Sequence, residues 1–187
     1  MARKIVRTGL IFSALLLLDQ LTKWGVFEKL LRIEGEVPSF VSWLVKVQPM
    51  QDTLASYGDF KMIEVTSFFN LVVVWNTGIS FGVFQDSGDL MPYILSAFAA
   101  IVGLVLLVMS VRTNNLIEST AFVLIAAGAT GNVWDRIRFK AVADFLDIHV
   151  AGYHWPAFNV ADASITLGAA LLIVYIVFLD KEKNGTS

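Results

Sequence analysis

The residues best suited to carry out a chemical reaction are the acidic side chains in the last third of the chain. Residues 142–150 alternate as a strand does, which puts Asp144 on one face and Asp147 on the other. Asp162 begins the next apolar run, so a carboxyl group of this segment can lie beside it. Two carboxyl groups in one site share a proton, because like charges repel. Such a pair can activate water and polarise a carbonyl, which is the chemistry of peptide hydrolysis without a metal ion.

The composition indicates a membrane protein. The 187 residues are 56% hydrophobic and 16% charged, and their mean hydropathy is +0.68. A soluble domain carries about a quarter charged residues. The formal net charge of −2 and the lack of a basic cluster argue against a nucleic-acid partner. The absence of cysteine excludes disulfides, a thiol nucleophile and a thiolate metal site.

The apolar residues are concentrated in long runs. Each run can cross a hydrocarbon core about 30 Å thick. The first run resembles a signal peptide, but Asp19 and Gln20 follow it instead of a cleavage site, so we interpret it as an uncleaved span. The predicted spans are residues 8–27, 91–111, 116–134 and 158–179.

Basic residues predict the orientation of these spans, because positive charge favours the cytoplasmic side. They precede the first span, lie in the short connection between the second and third, and follow the fourth. Both termini are therefore expected in the cytoplasm, with residues 28–90 and 135–157 outside. The residues that support this orientation are Arg3, Lys4, Arg7, Arg112, Lys181 and Lys183, and those against it are Arg136, Arg138 and Lys140.

The outer segments are expected to contain a small sheet. Residues 67–84 are apolar enough to suggest a fifth span, but asparagines and glycines interrupt them. Their core, residues 71–75, is β-branched and aromatic, which favours a strand. Residues 40–47 and 63–74 are the extended pieces that we expect to rest on the membrane surface.

This topology brings polar groups of three spans to one depth. Asp19 lies roughly 17 Å along the first span, in the outer half of the bilayer. The third span ends outside with Asp135, and the fourth begins there with Asn159 and Asp162. Ionisable residues inside a membrane are costly and mark a functional site.

Five segments resemble the successive motifs of bacterial lipoprotein signal peptidase (signal peptidase II). They are residues 18–23, 75–81, 131–136, 142–145 and 158–165, in the family's order over nearly the whole chain. The resemblance implies an aspartic endopeptidase whose catalytic pair is Asp144 and Asp162, with no cofactor and no metal. It also implies a bacterial plasma (inner) membrane enzyme with its active site on the extracytoplasmic side. The substrate would be a prolipoprotein, cut just before a cysteine that carries diacylglycerol.

The resemblance further implies the fold and the supporting residues. The fold class is an all-α membrane protein with four transmembrane helices, a small extracytoplasmic β-sheet and a short surface helix. We expect residues 1–187 to form a single integral membrane domain, monomeric and in contact with membrane lipids. The side chains implied to support the site or the substrate are Asp19, Asn76, Asn132, Asp135, Arg136 and Asn159.

Several of these residues also have structural interpretations. Asp147 is the alternative to Asp144, and Asp162 can simply stabilise the start of a helix through the helix dipole. Asn76 can cap a turn in its Asn-Thr-Gly sequence. The remaining alternatives are local ion pairs, Asp135 with Arg136 and Asp19 with Lys23.

A functional alternative is a proton- or ion-coupled transporter with Asp19, Asp135 and Asp162 as a relay. Transporters commonly contain paired repeats and carry their sites near the membrane midplane. The sequence has no visible repeat, and these acids cluster near one surface. A peptidase is therefore the preferred interpretation.

Overall fold

Helices dominate the computed structural model, which describes residues 1–53, 62–78 and 90–179. Within these residues, four helical segments are long and apolar enough to cross a membrane, which confirms the predicted fold class. Two short π-helical turns, Gly25–Leu31 and Tyr175–Leu179, continue the first and last of them. The α-helices are α1 (Ala2–Trp24), α2 (Phe40–Val45), α3 (Met50–Thr53), α4 (Met91–Arg112), α5 (Leu116–Phe139) and α6 (Val160–Val174).

The third spanning helix, α5, extends beyond the predicted span. It begins after Asn115, whose side chain accepts hydrogen bonds from the first turn, and it ends at Lys140 in the left-handed conformation (φ 59°). The prediction ended the span at residue 134 because charged residues follow. The helix continues because Arg136 and Arg138 are buried against other parts of the protein.

Residues 40–47 are not extended, so that prediction was wrong. Most of the segment forms α2, whose N-terminus is capped by Ser39, with the Ser42 N–H donating to its side-chain oxygen at 3.1 Å. The β-branched and aromatic composition favoured a strand, and the capping serine was overlooked. A short helix between the first span and the sheet agrees with the surface helix that the resemblance implied.

The sheet has four antiparallel strands, which lie in the order β1 (Met62–Thr66), β2 (Phe69–Asn76), β3 (Val142–Val150) and β4 (Tyr153–His154). Residues 63–74 are extended as predicted except at residues 67–68, where a turn divides them between β1 and β2. Strand β2 occupies much of the described part of the fifth candidate span. The remainder of that candidate, residues 79–84, lies outside the described residues, as do Lys181 and Lys183.

Helix α5 packs against α1, α4 and α6 and is the central helix of the bundle. The sheet joins the helices through a buried cluster of Phe27, Ala143 and Phe145. Close approach of α5 to α6 requires Gly128, because a Cβ there would collide with the Ala161 carbonyl oxygen. This packing brings the end of α5, the start of β3 and the start of α6 together.

Candidate functional site

Asp144 lies near the start of β3 and is almost completely buried, with 1% of its surface exposed. The strand register sets Asn76 opposite Val142, which brings the Asn76 side chain close to Asp144. The Asn76 amide donates to Asp144 Oδ2 at 3.1 Å, and the Asn159 amide donates to Oδ1 at 2.7 Å. Both carboxyl oxygens are therefore fixed by neutral donors.

Asp162 lies in the first turn of α6, where it forms a capping box with Asn159. Asn159 Oδ1 accepts from the Asp162 N–H at 2.9 Å, and Asp162 Oδ2 accepts from the Asn159 N–H at 3.1 Å. The other oxygen of Asp162 accepts from the Asn132 amide at 2.7 Å. Asp162 thus has the helix-start role that its sequence position suggested, and it also reaches across to α5.

Asn159 connects the two carboxyl groups. Its side-chain amide contacts Asp144, while its backbone N–H and side-chain oxygen contact Asp162. Burial, followed by the nearby Asp162 carboxylate, raises the pKa of Asp144 to about 8. A carboxyl group with that pKa holds its proton at neutral pH and can donate it.

A cavity of about 250 Å³ opens beside Asp162. It is large enough for a water molecule and part of a peptide. Arg136 Nη2 donates to the Gly78 carbonyl oxygen at 2.8 Å, which holds the guanidinium at the cavity wall. The lining residues are Asn76, Asn132, Arg136, Val142, Asp162, Ile165 and Thr166.

Asn76 has both of the roles considered for it. Its side-chain oxygen accepts from the Gly78 N–H at 3.1 Å, which is the turn-capping contact. Its amide group meanwhile donates to Asp144. The turn therefore orients the amide that holds the carboxyl group, so the structural and functional interpretations are compatible.

Asp19 and Asp135 lie in a buried ionic cluster instead of lining the cavity. Lys23 Nζ is 2.9 Å from Asp19 Oδ2 and 2.7 Å from Asp135 Oδ2. The predicted pair of Asp19 with Lys23 is present, and the side chain of Lys23 is fully buried. Asp162 lines the cavity, whereas Asp19 and Asp135 do not. This arrangement gives no support to the transporter alternative, in which these three acids would form a relay.

The proposed ion pair between Asp135 and Arg136 was wrong. Asp135 pairs with Lys23 and with Arg138, whose Nη2 is 3.1 Å from Asp135 Oδ1, while Arg136 faces the cavity. Adjacent residues of a helix point in different directions, whereas residues three or four apart share a face. Asn132 and Arg136 do share the cavity face, as their spacing predicts.

Asp147 lies away from this pair and has its own partners. The Asn70 amide donates to Asp147 Oδ2 at 2.8 Å, and His154 Nδ1 lies 2.9 Å from both carboxyl oxygens. Burial raises the pKa of Asp147, but the hydrogen bonds from His154 and Asn70 outweigh it and lower that pKa below its usual value. Such a carboxyl group is a poor proton donor near neutral pH.

Two contributors were not identified from the sequence. Gln20 donates to Asp19 at 2.9 Å and to Asp135 at 3.1 Å, and its oxygen accepts from Arg138 at 2.7 Å. The Arg138 guanidinium also lies 4.4 Å from the centre of the Trp43 ring. Arg138 was noted only as an exception to the charge rule, although its position three residues after Asp135 was a usable signal.

Comparisons with known proteins agree on one family. The family model described as signal peptidase (SPase) II matches residues 11–178. The lipoprotein signal peptidase of Pelagibacter ubique (strain HTCC1062) is 40% identical over 123 residues, which is 66% of this chain and 74% of that protein. The lipoprotein signal peptidase of Anaplasma phagocytophilum (strain HZ) is 39% identical over 140 residues, which is 74% of this chain and 82% of that protein.

The fold is similar to that of solved bacterial membrane enzymes. A bacterial membrane enzyme solved by the in meso method at 2.3 Å resolution superposes with a TM-score of 0.66 and 25% sequence identity. The match covers 95% of this chain and 90% of that one. A second such enzyme, at 1.9 Å resolution, gives a TM-score of 0.66 and 26% identity over 92% of this chain and 94% of that one.

Proposed function

The chain belongs to the signal peptidase II family, a family of aspartic proteases, and on that basis we propose that Asp144 and Asp162 are its catalytic pair. The reaction is removal of the signal peptide from a prolipoprotein. The position of Asn159 is the main support for this assignment. Its side-chain amide donates to Asp144, and its side-chain oxygen accepts from the Asp162 N–H. Two carboxyl groups fixed by one residue beside a cavity are suited to act on one water molecule.

The pair holds one proton in its active form, and the environment favours Asp144 as its carrier. Asp144 is buried, its pKa is raised to about 8, and its hydrogen bonds come from neutral amides. Asp162 lines the cavity, where it can reach water. Asp144 is therefore the general acid and Asp162 the general base.

The hydrolysis proceeds through a tetrahedral intermediate. Asp162 removes a proton from water as the water oxygen attacks the scissile carbonyl carbon, and Asp144 gives its proton to the carbonyl oxygen. Asp162 then passes its proton to the departing nitrogen as the C–N bond breaks. A hydroxyl proton of the intermediate returns to Asp144. The products are a carboxyl group on the signal peptide and a free amine on the lipoprotein, with the pair restored.

The substrate reaches the cavity from within the bilayer. Its signal sequence is apolar, and a cysteine carrying diacylglycerol adds acyl chains that also prefer lipid. Ile165 and Thr166 of the spanning helix α6 line the cavity, so a lateral path is short. The peptide must be extended at the cleavage point, because a helix keeps its carbonyl groups in internal hydrogen bonds.

The orientation we propose has both termini in the cytoplasm of a bacterium with the enzyme in its plasma membrane. Arg3, Lys4 and Arg7 at the start of α1 and Arg112 at the end of α4 support it. Arg138 departs from the rule that positive residues lie on the cytoplasmic side, because its charge is buried in the ionic cluster. The active site is then extracytoplasmic, and one monomer contains all of its parts.

Mapping the products of the purified enzyme tests the reaction. A diacylglyceryl-modified prolipoprotein is incubated with the enzyme in detergent, beside the same protein without the lipid and a cysteine-to-serine version. Mass spectrometry should find cleavage just before the lipidated cysteine and little cleavage of the two controls. Cleavage at another bond, or equal cleavage of all three substrates, would contradict the proposed specificity.

Single-cysteine labelling tests the orientation, since the chain has no cysteine of its own. Tyr153, in β4, is 70% exposed and is suited to substitution by cysteine. In intact spheroplasts a membrane-impermeant maleimide should label Tyr153→Cys and should not label Asn114→Cys in the short connection between α4 and α5. The reverse labelling pattern would overturn the orientation.

A further inference from the structure

Two carboxylates of the buried ionic cluster bind the backbone directly before each catalytic aspartate. Asp135 Oδ2 accepts from the Ala143 N–H at 3.3 Å, and Asp19 Oδ1 accepts from the Ala161 N–H at 2.9 Å. Ala143 precedes Asp144, and Ala161 precedes Asp162. Consecutive Cα atoms are about 3.8 Å apart, so each contact restrains a catalytic residue closely.

Lys23 is the group that holds these two carboxylates together. Its ammonium lies between Asp19 and Asp135 at 2.9 and 2.7 Å, and neither carboxylate has more than 2% of its side-chain surface exposed. Without this charge the two anions would repel each other in a low-dielectric interior. Arg138 balances the second negative charge, but its ion pair is with Asp135.

The cluster links the elements that carry the catalytic pair. Asp19 and Lys23 are on α1, Asp135 is on α5, and the two N–H donors are on β3 and α6. Asp19 can approach α5 this closely because Gly131 has no side chain, and a Cβ there would lie 2.7 Å from Asp19 Oδ2. The Ala161 N–H is one of the first-turn donors of a helix that lack a partner within the helix.

We propose that Lys23 is a positioning residue, which sets the separation of Asp144 and Asp162 through Asp135 and Asp19. This inference rests on the proposed catalytic pair. Lys23 reaches neither the substrate cavity nor the reacting atoms. Its effect is on the geometry of the pair, and a displacement of about 1 Å at a catalytic group can lower a rate about 100-fold.

The test compares four variants of the full-length enzyme in detergent. Lys23→Met removes the charge, and Lys23→Arg keeps it. The double variant Asp19→Asn with Lys23→Met removes one charge of each sign and leaves no new unpaired anion, so its fold should be less disturbed than that of Lys23→Met. The matched control is Arg32→Met, which breaks the 2.6 Å pair of Arg32 with Glu28 one helical turn beyond the cluster.

The measurements are kcat, KM and the Kd for a diacylglyceryl prolipoprotein peptide with a reduced scissile bond. Rates are expressed per binding-competent enzyme, so partial unfolding does not count as lost catalysis. The double variant should lose about 100-fold in kcat, with KM and Kd within about twofold of wild type. Lys23→Arg should recover most of that loss, and Arg32→Met should keep the wild-type kcat.

The pH profile gives a second readout that unfolding does not affect. Charges near Asp144 come from Asp162, Arg136 and Lys23, and the Lys23 charge lowers the pKa of Asp144. The alkaline limb of kcat should therefore move to higher pH in Lys23→Met. A folded double variant with the wild-type kcat would overturn the inference. A loss of binding equal to the loss of kcat would also overturn it, because that result would assign Lys23 a purely structural role.

Asp144→Asn is assayed in parallel to separate the two proposals. If it is inactive while the Lys23 variants resemble wild type, the catalytic pair stands and the positioning role fails. If Asp144→Asn is fully active, the catalytic pair itself fails, whatever the Lys23 variants show.

Discussion

The side-chain amide of Asn159 lies 2.7 Å from the carboxyl group of Asp144. The same residue caps the N-terminus of α6 just before Asp162. One side chain therefore holds both the start of this helix and the Asp144 carboxyl group. A side chain shared in this way couples the stability of a helix start to the geometry of the proposed catalytic pair.

Replacing Asn159 by alanine should affect both properties. Loss of the cap should cost about 1 kcal/mol of stability, and misplacement of the pair should lower kcat about 100-fold. Thermal unfolding in detergent and steady-state cleavage of the prolipoprotein measure the two effects. The matched control is Asn115→Ala, because Asn115 caps α5 by accepting from Ile117 and Glu118. A similar loss of kcat in Asn115→Ala would attribute the effect to stability alone.

The pH dependence of kcat should reflect the proton on Asp144. Because the pKa of Asp144 is raised to about 8, this proposed general acid loses its proton above that pH, and kcat should fall on the alkaline side. The hydrogen bond from Asn76 lowers this pKa, so Asn76→Ala should move the alkaline limb to higher pH. A limb that moves to lower pH in that variant would contradict the assignment of the proton.

Close packing of α5 against α6 should be required for activity. A Cβ at Gly128 would collide with the Ala161 carbonyl oxygen and lie 2.8 Å from Ile165 Cγ1, which would push α6 away from α5. Gly128→Ala should lower stability by about 1–3 kcal/mol and reduce kcat, because Ala161 precedes Asp162. Gly103→Ala is the matched control, since its Cβ would meet Ala129 Cβ at an ordinary 3.6 Å. Equal effects in the two variants would refute this interpretation.

The spanning helices were predictable because their signal is local. Apolar runs long enough to cross a membrane identified all four, and α4 (Met91–Arg112) begins and ends within one residue of the prediction. The end of α5 was missed because charged residues end the apolar run before Arg136 and Arg138. Both guanidinium groups donate to partners in other elements, which hydropathy does not reveal. The helix at residues 40–45 was missed because composition outweighed the capping serine at 39.

Some neighbours within the candidate site were predictable from local spacing, but the connections between its elements were not. Helical spacing indicates that Asn132 and Arg136 share a face, and strand alternation separates Asp144 from Asp147. No local pattern indicates that Asp19 binds the Ala161 N–H, because that contact joins residues 142 positions apart. It depends on the packing of α1, α5 and α6, which only the three-dimensional structure reveals.

The most direct test of the account is the turnover of diacylglyceryl prolipoprotein by Asp144→Asn and Asp162→Asn, with Asp147→Asn as the control from the same strand. Uniform detergent conditions and rates per binding-competent enzyme make the three variants comparable. Each of the first two variants should lose nearly all activity. Asp147→Asn should stay within about threefold of wild type, because the Asp147 carboxyl group contacts Asn70 and His154 and does not line the cavity. Wild-type turnover by either Asp144→Asn or Asp162→Asn would contradict the account.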